Sequence, residues 1–149
     1  MPADSDTGLP VTFRPLGVRL AIYVLGALLL AVVVVMWLSL PAEIRDQFTI
    51  LERITLVGFG VLFYAAGYAL ARSRVVAREN GLTVVNGYRT RRFEWNEILA
   101  VSLRSGSPWA VLDLSDGTTV PAMGIQSSDG DRATQQVRRV RALVNAHTR

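Results

Sequence analysis

The chain contains no cysteine, and although 16 of its 149 residues are basic, every one of these is arginine. Without cysteine there are no disulfides, thiol nucleophiles or thiolate metal sites, and the redox compartment is left open. Without lysine there is no side-chain amine to form a Schiff base or to act as nucleophile or general base. Histidine is almost absent too. The single one, His147, lies at the far end of the chain and is expected to be a solvated tail residue, because metal sites need several converging ligands. Three motifs are missing as well: the phosphate-cradling G-x-x-x-x-G-K-[ST], the zinc-binding H-E-x-x-H and the nucleophile elbow G-x-S-x-G. Asp113, Asp116, Asp129 and Asp131 do not replace them. Asp116 precedes a turn glycine, and Asp129 and Asp131 fall where a helix N-terminus favours negative charge. No catalytic, cofactor-binding or metal-ligating residue is expected, and the chain does not read as an enzyme.

A further absence organises the rest. From Leu20 to Leu40 the sequence LAIYVLGALLLAVVVVMWLSL carries no charge at all. A helix of about 20 residues rises roughly 30 Å, the thickness of a bilayer's hydrocarbon core, so this stretch is expected to span a membrane. It begins too late and runs too long for a cleaved signal peptide. A second uncharged run, Ile54 to Ala71, is bracketed by Arg53 and by Arg72 and Arg74. Between the two lies Pro41 to Arg53, with Glu43, Arg45, Asp46 and Glu52, which are costly in lipid. Ile44, Phe48 and Leu51 recur there at helical spacing, so this connector is either a short interfacial helix or a solvated loop. The spans, about 20–40 and 54–71, form an antiparallel hairpin, with Gly60, Gly67, Ala27 and Ala31 as the small residues that allow close approach. Trp37 fits the aromatic belt at the end of the first span.

The net charge of +4 and the basic pI of about 10.3 are compatible with nucleic acid. In a membrane protein, however, basic residues mark the cytoplasmic side, and no nucleic-acid partner is expected. Arg14 and Arg19 precede the first span and Arg72, Arg74 and Arg78 follow the second, against Arg45 and Arg53 in the connector. Both termini are therefore expected in the cytoplasm, in a multi-pass protein of the cell membrane. Residues 1–17, with Pro2, Gly8, Pro10 and Pro15 among Asp and Ser, read as a flexible tail; 18–74 is the hairpin and 75–149 a separate domain.

In that domain the periodicity changes. VVAR, LTVV and YRTRRF are separated by Glu79-Asn80-Gly81 and Asn86-Gly87, a meander of three strands with tight turns. Ile98 to Leu103 and Trp109 to Ser115 follow, then Asp116-Gly117 and TTVPAM. In the Trp109 strand, Ala110, Leu112 and Leu114 take one face and Trp109, Val111 and Asp113 the other. Ala133, Val137, Val140 and Val144 then make an apolar helical stripe, with Ser128 and Asp131 at capping-box spacing before it. The class is α+β: a two-helix transmembrane hairpin, then a small antiparallel sheet or partial barrel closed by a C-terminal amphipathic helix.

These residues resemble a known family. Glu79-Asn80-Gly81-Leu82, Arg91-Arg92-Phe93-Glu94-Trp95-Asn96-Glu97-Ile98, Pro108-Trp109 to Leu114, Asp116-Gly117 and the run from Gly124 to Gly130 are similar to the bacterial PH-like domain named after low molecular weight protein antigen 6. The resemblance covers about the second half of the chain. It implies a PH-like fold, a membrane-anchored protein of actinobacterial type and no catalytic residue to transfer.

A PH-like sheet with an exposed edge is a general site for peptide strand addition, so a binding or scaffolding module with an unidentified protein partner is expected. The other reading is anionic lipid-headgroup sensing through Arg89, Arg91 and Arg92, of which Arg89 and Arg91 share a strand face and Arg92 points away. A solvated strand face accounts for the same arginines. Trp95, at a strand junction, is expected to cap the core, and Trp109 either anchors a partner or is a half-buried sheet residue.

Overall fold

The computed structural model describes residues 8–148. Its two longest helices, α1 (Leu16–Ser39) and α3 (Ile50–Arg72), coincide with the uncharged runs and extend both of them. Each is long and apolar enough to cross a membrane, and almost none of either is buried inside the protein. They pack as a hairpin. At Gly67 an added Cβ would lie 3.1 Å from Ile22 Cγ2, so the small residue sets the approach there. Gly60 has open space instead and plays no such part.

The connector is helical for one turn, α2 (Ala42–Arg45). Arg53 closes it: the guanidinium donates to the carbonyls of Arg45 (2.8 Å) and Phe48 (3.1 Å) and lies 5.8 Å from the centre of the Trp37 ring. Trp37 in turn meets Phe48 edge to face. α3 starts on a reciprocal capping box, with Thr49 and Glu52 each satisfying the other's backbone N–H.

The remaining strands form two antiparallel sheets. One has the order β1 (Val11–Phe13), β2 (Arg74–Arg78), β3 (Gly81–Asn86), β4 (Arg89–Phe93); the other has β5 (Ile98–Ser102), β6 (Trp109–Leu114), β7 (Thr119–Gln126). The meander from β2 to β4 and the alternation in β6 follow the sequence pattern, with Ala110, Leu112 and Leu114 buried and their neighbours half-buried. The sheets cross where β7 passes β2. A Cβ at Gly124 would come within 2.5 Å of the Arg74 backbone, so only glycine fits this crossing. Asn86 joins the sheets at the next level, accepting from Met123 N–H (3.0 Å) and donating to the Pro121 carbonyl.

α4 (Asp131–His147) closes the domain with the expected stripe: Ala133, Val137, Val140 and Val144 are buried against the same core as Leu82, Ile98, Leu112 and Ile125. Each large apolar side chain buried there contributes about 1.5–3 kcal/mol.

Three expectations are corrected. The tail predicted over 1–17 is not a tail from residue 8 onward: Val11–Phe13 pairs with Val75 to Ala77, Phe13 is buried in the core, and α1 begins at Leu16. A strand of three residues between prolines is too short to show a period, and residues 1–7 lie outside the described residues. The box from Ser128 to Asp131 does not form, because Ser128 belongs to a single 3-10 turn (Ser127–Asp129) and Gly130 precedes α4 without a side-chain cap. His147 is not a solvated tail residue. Its ring stacks 4.7 Å from that of Trp95, and its Nδ1 lies 2.8 Å from the Leu143 carbonyl oxygen.

Candidate functional site

Sheet edges decide where this domain can offer its backbone to another molecule, since an edge strand keeps a row of unpaired N–H and C=O groups. β1 is an edge of only three residues. β5 is an edge too, but α4 packs over it, and Arg141 Nε donates to the Val101 carbonyl at 2.6 Å. β7 lies against β2 and β3 of the other sheet. β4, the remaining edge, is five residues long like β5 but differs from all three in its exposure, which runs from Arg89 to Arg92, with Phe93 half-buried.

The pairing register fixes where its arginines stand. Arg89 is opposite Asn86, Arg91 opposite Val84 and Arg92 opposite Thr83. Arg89 and Arg91 thus share one face and Arg92 takes the other, as the alternation of a strand requires.

One end of this strand is held against the apolar hairpin. Tyr88 Oη donates to the Ala65 carbonyl of α3 at 2.8 Å, and Gly87 N–H donates to Ser73 Oγ at 3.0 Å. Gly87 adopts φ +58°, and a Cβ there would touch Ala69 at 3.4 Å, so the turn glycine both makes the turn and lets it sit on the helix. Arg72 is engaged at the same junction, its guanidinium 5.4 Å from the Tyr88 ring centre and 5.9 Å from that of Tyr68. An open groove of about 550 Å³ runs between the last turns of α3 and this turn, lined by Ala66, Ala69, Leu70, Asn86, Gly87, Tyr88, Arg89 and Met123.

β4 then runs away from the helices. Arg92 and Phe93 line a second open groove, about 530 Å³, with Leu9, Pro10 and the β2–β3 turn from Arg78 to Thr83. The basic stretch therefore serves two places: Arg89 stands beside the helix junction and Arg92 at the opposite end.

Trp109 is not part of either. It is half-buried at the start of β6, in the other sheet, opposite Gln126. Trp95 caps the core as expected, buried, with its indole N–H donating to the carbonyls of Arg78 (3.1 Å) and Glu79 (2.9 Å). Among the described residues no cluster of three or more His, Cys, Asp or Glu is placed to hold a metal ion.

Two of the four aspartates of this domain hold the fold together. Asp116 accepts from the hydroxyl (2.7 Å) and backbone N–H (2.8 Å) of Thr118 across the β6–β7 turn, and these bonds lower its pKa below the ordinary value of 3.8. Asp129 has a role the sequence did not disclose. Its two oxygens accept from the backbone N–H groups of Leu16 and Gly17, both at 2.9 Å, so it caps α1 from a position more than a hundred residues away. A carboxylate before α4 was expected to serve α4; only the fold places it at the start of the first apolar helix.

Two antiparallel sheets in meander order, closed by one C-terminal helix and preceded by an apolar helical hairpin, define a PH-like domain on a two-helix base. Residues 72–143 match the family described as bacterial PH domain. Uncharacterised proteins of Mycobacterium bovis and Mycobacterium tuberculosis are 34% identical to this chain over 93 residues. That match covers 62% of this chain and 60% of each relative, so the chain spans less than two thirds of the curated relatives it matches. No solved structure matches.

Proposed function

We propose that the chain is a membrane-anchored, non-catalytic binding module whose PH-like domain recognises a protein partner at the cytoplasmic membrane surface by adding an extended segment of it to β4. The observation that carries this is the open edge of β4 beside edges that are short, crossed or covered. Main-chain hydrogen bonds along such an edge supply affinity, and side-chain contacts on alternate positions supply specificity. Arg91 and Arg92 on opposite faces favour an acidic segment that presents carboxylates on both sides.

Pairing of β1 with β2 supports the topology, because it puts the entry to α1 and the exit of α3 on one side of the hairpin. With Arg14, Arg19, Arg72, Arg74 and Arg78 on that side and only Arg45 and Arg53 in the connector, that side is the cytoplasmic one.

The test is site-specific photocrosslinking in intact membranes, with the reactive residue at Thr90 on β4 or at Leu99 on β5. The expected result is a discrete protein adduct from Thr90, absent from Leu99 and lost when Arg91 and Arg92 are both changed to Glu. Adducts of equal yield from both positions, or an adduct indifferent to the charge reversal, would overturn the proposal.

A further inference from the structure

Arg89 is separated from the rest of the basic stretch by what surrounds it. The groove beside it has a hydrocarbon wall from the last turns of α3, made by Ala66, Ala69 and Leu70, with Met123 of β7 adding to the apolar lining. Tyr88 crosses the same junction to reach the Ala65 carbonyl, so the groove starts well inside the apolar part of α3 and ends at the β3–β4 turn. Of the two guanidiniums there, that of Arg72 lies over two tyrosine rings. Arg89 is the exposed cation lining the groove.

We propose that this groove holds one anionic phospholipid from the surrounding bilayer, its acyl chain along Ala66, Ala69 and Leu70 and its phosphate on the Arg89 guanidinium. The wall is continuous with the uncharged stretch of α3 from Ile54 to Ala71, so a lipid chain enters along that helix without passing a charged side chain of it. At the headgroup end a guanidinium forms charge-assisted hydrogen bonds to phosphate oxygens, pairwise when the geometry allows. Arg91 stands two residues farther along β4 and does not line the groove, so the site depends on Arg89 and not on the basic strand as a whole. The proposal rests on the hairpin being embedded in lipid, and it is independent of any protein bound at β4.

The experiment uses the full chain, reconstituted in vesicles of mixed phosphatidylglycerol and phosphatidylcholine, extracted gently and examined by native mass spectrometry for retained lipid. Embedding is read first: the chain must float with the vesicles after an alkaline wash, and failure here removes the hairpin reading together with the lipid site.

Given embedding, the wild type is expected to retain phosphatidylglycerol in preference to phosphatidylcholine. Arg89→Gln is expected to lower that preference about fivefold, the effect of roughly one basic residue at a lipid surface. Ala66→Trp, which fills the hydrocarbon wall at an exposed position without changing charge, is expected to lower it as well, and Arg91→Gln to leave it unchanged. Flotation with wild-type retention in Arg89→Gln overturns the lipid site alone. So does equal loss in Arg89→Gln and Arg91→Gln, which marks general attraction, or displacement of the lipid by inorganic phosphate with Ala66→Trp silent, which marks a phosphate site without a chain.

Discussion

β4 and β5 are both edge strands of five residues, and the protein treats them in opposite ways. β5 is buried at Ile98 and Val101, lies under α4, and has the Val101 carbonyl taken by Arg141. β4 has no such cover and presents Arg89, Thr90, Arg91 and Arg92 to solvent. An arginine is used in each case, but at β5 it donates inward from a neighbouring helix, whereas at β4 the arginines belong to the strand itself and project outward. Charge on an open edge discourages pairing between copies of the same chain, since like charges would meet. It leaves the backbone free for a segment of opposite charge. The difference teaches that exposure at β4 is selective: the same domain demonstrates how it seals an edge and does not apply that device here.

The contrast yields four predictions in descending order of effect. Val140→Asp places a carboxylate in the fully buried stripe of α4 and strips the cover from β5. It is expected to destabilise the domain by about 4 kcal/mol or more, measured as the thermal unfolding midpoint of the detergent-solubilised chain. Arg141→Ala removes the single bond to Val101 and is expected to cost about 2 kcal/mol, the scale of a hydrogen bond from a charged donor. Hydrogen exchange is then expected to quicken along β5 and stay unaltered along β4. Arg91→Gln is the counterpart on the open edge. It is expected to change stability by less than about 0.5 kcal/mol, as for other surface substitutions. A loss comparable to that of Arg141→Ala would show that β4 is held in place by its arginines, and the comparison would fail.

The smallest effect concerns pH. Thr118 holds the Asp116 carboxyl below its ordinary 3.8, first through the hydroxyl and then through the backbone N–H. A pKa lowered in the folded state adds stability that is fully present above the unfolded value and is lost as the pH falls below about 3.8 through the folded value. Asp116→Asn is expected to flatten slightly the acid limb of the stability curve. The β3–β4 hairpin from Asn86 to Phe93 carries no carboxylate, so hydrogen exchange along it is expected to show no matching acid transition.

Much of this architecture is legible in the residues. The two apolar helices are visible because runs without charge need no tertiary partner to be recognised. The meander is visible because Asn80-Gly81 and Asn86-Gly87 announce turns, and α4 because Ala133, Val137, Val140 and Val144 repeat at helical spacing. β1 is invisible by contrast. Three residues carry no period, and Val11–Phe13 is a strand only because β2 stands beside it. His147 looks like a tail residue until the fold brings Trp95 under its ring. The Arg89 to Arg92 stretch was readable as basic and alternating, but its division between a helix junction and a far groove depends on which way β4 runs from α3.

By itself the sequence determined the apolar hairpin and the strand and helix periods, because each of these is encoded in local spacing and composition, and the PH-like class entered through the resemblance of its motifs to a known family. Only the tertiary structure decided which edge stays open, that Asp129 caps α1 instead of α4, and that Arg89 sits at the end of α3. Those outcomes are contacts between segments far apart in the chain. An edge is sealed or free, and a carboxylate caps one helix or another, according to which backbone arrives beside it, and no local pattern records that arrival.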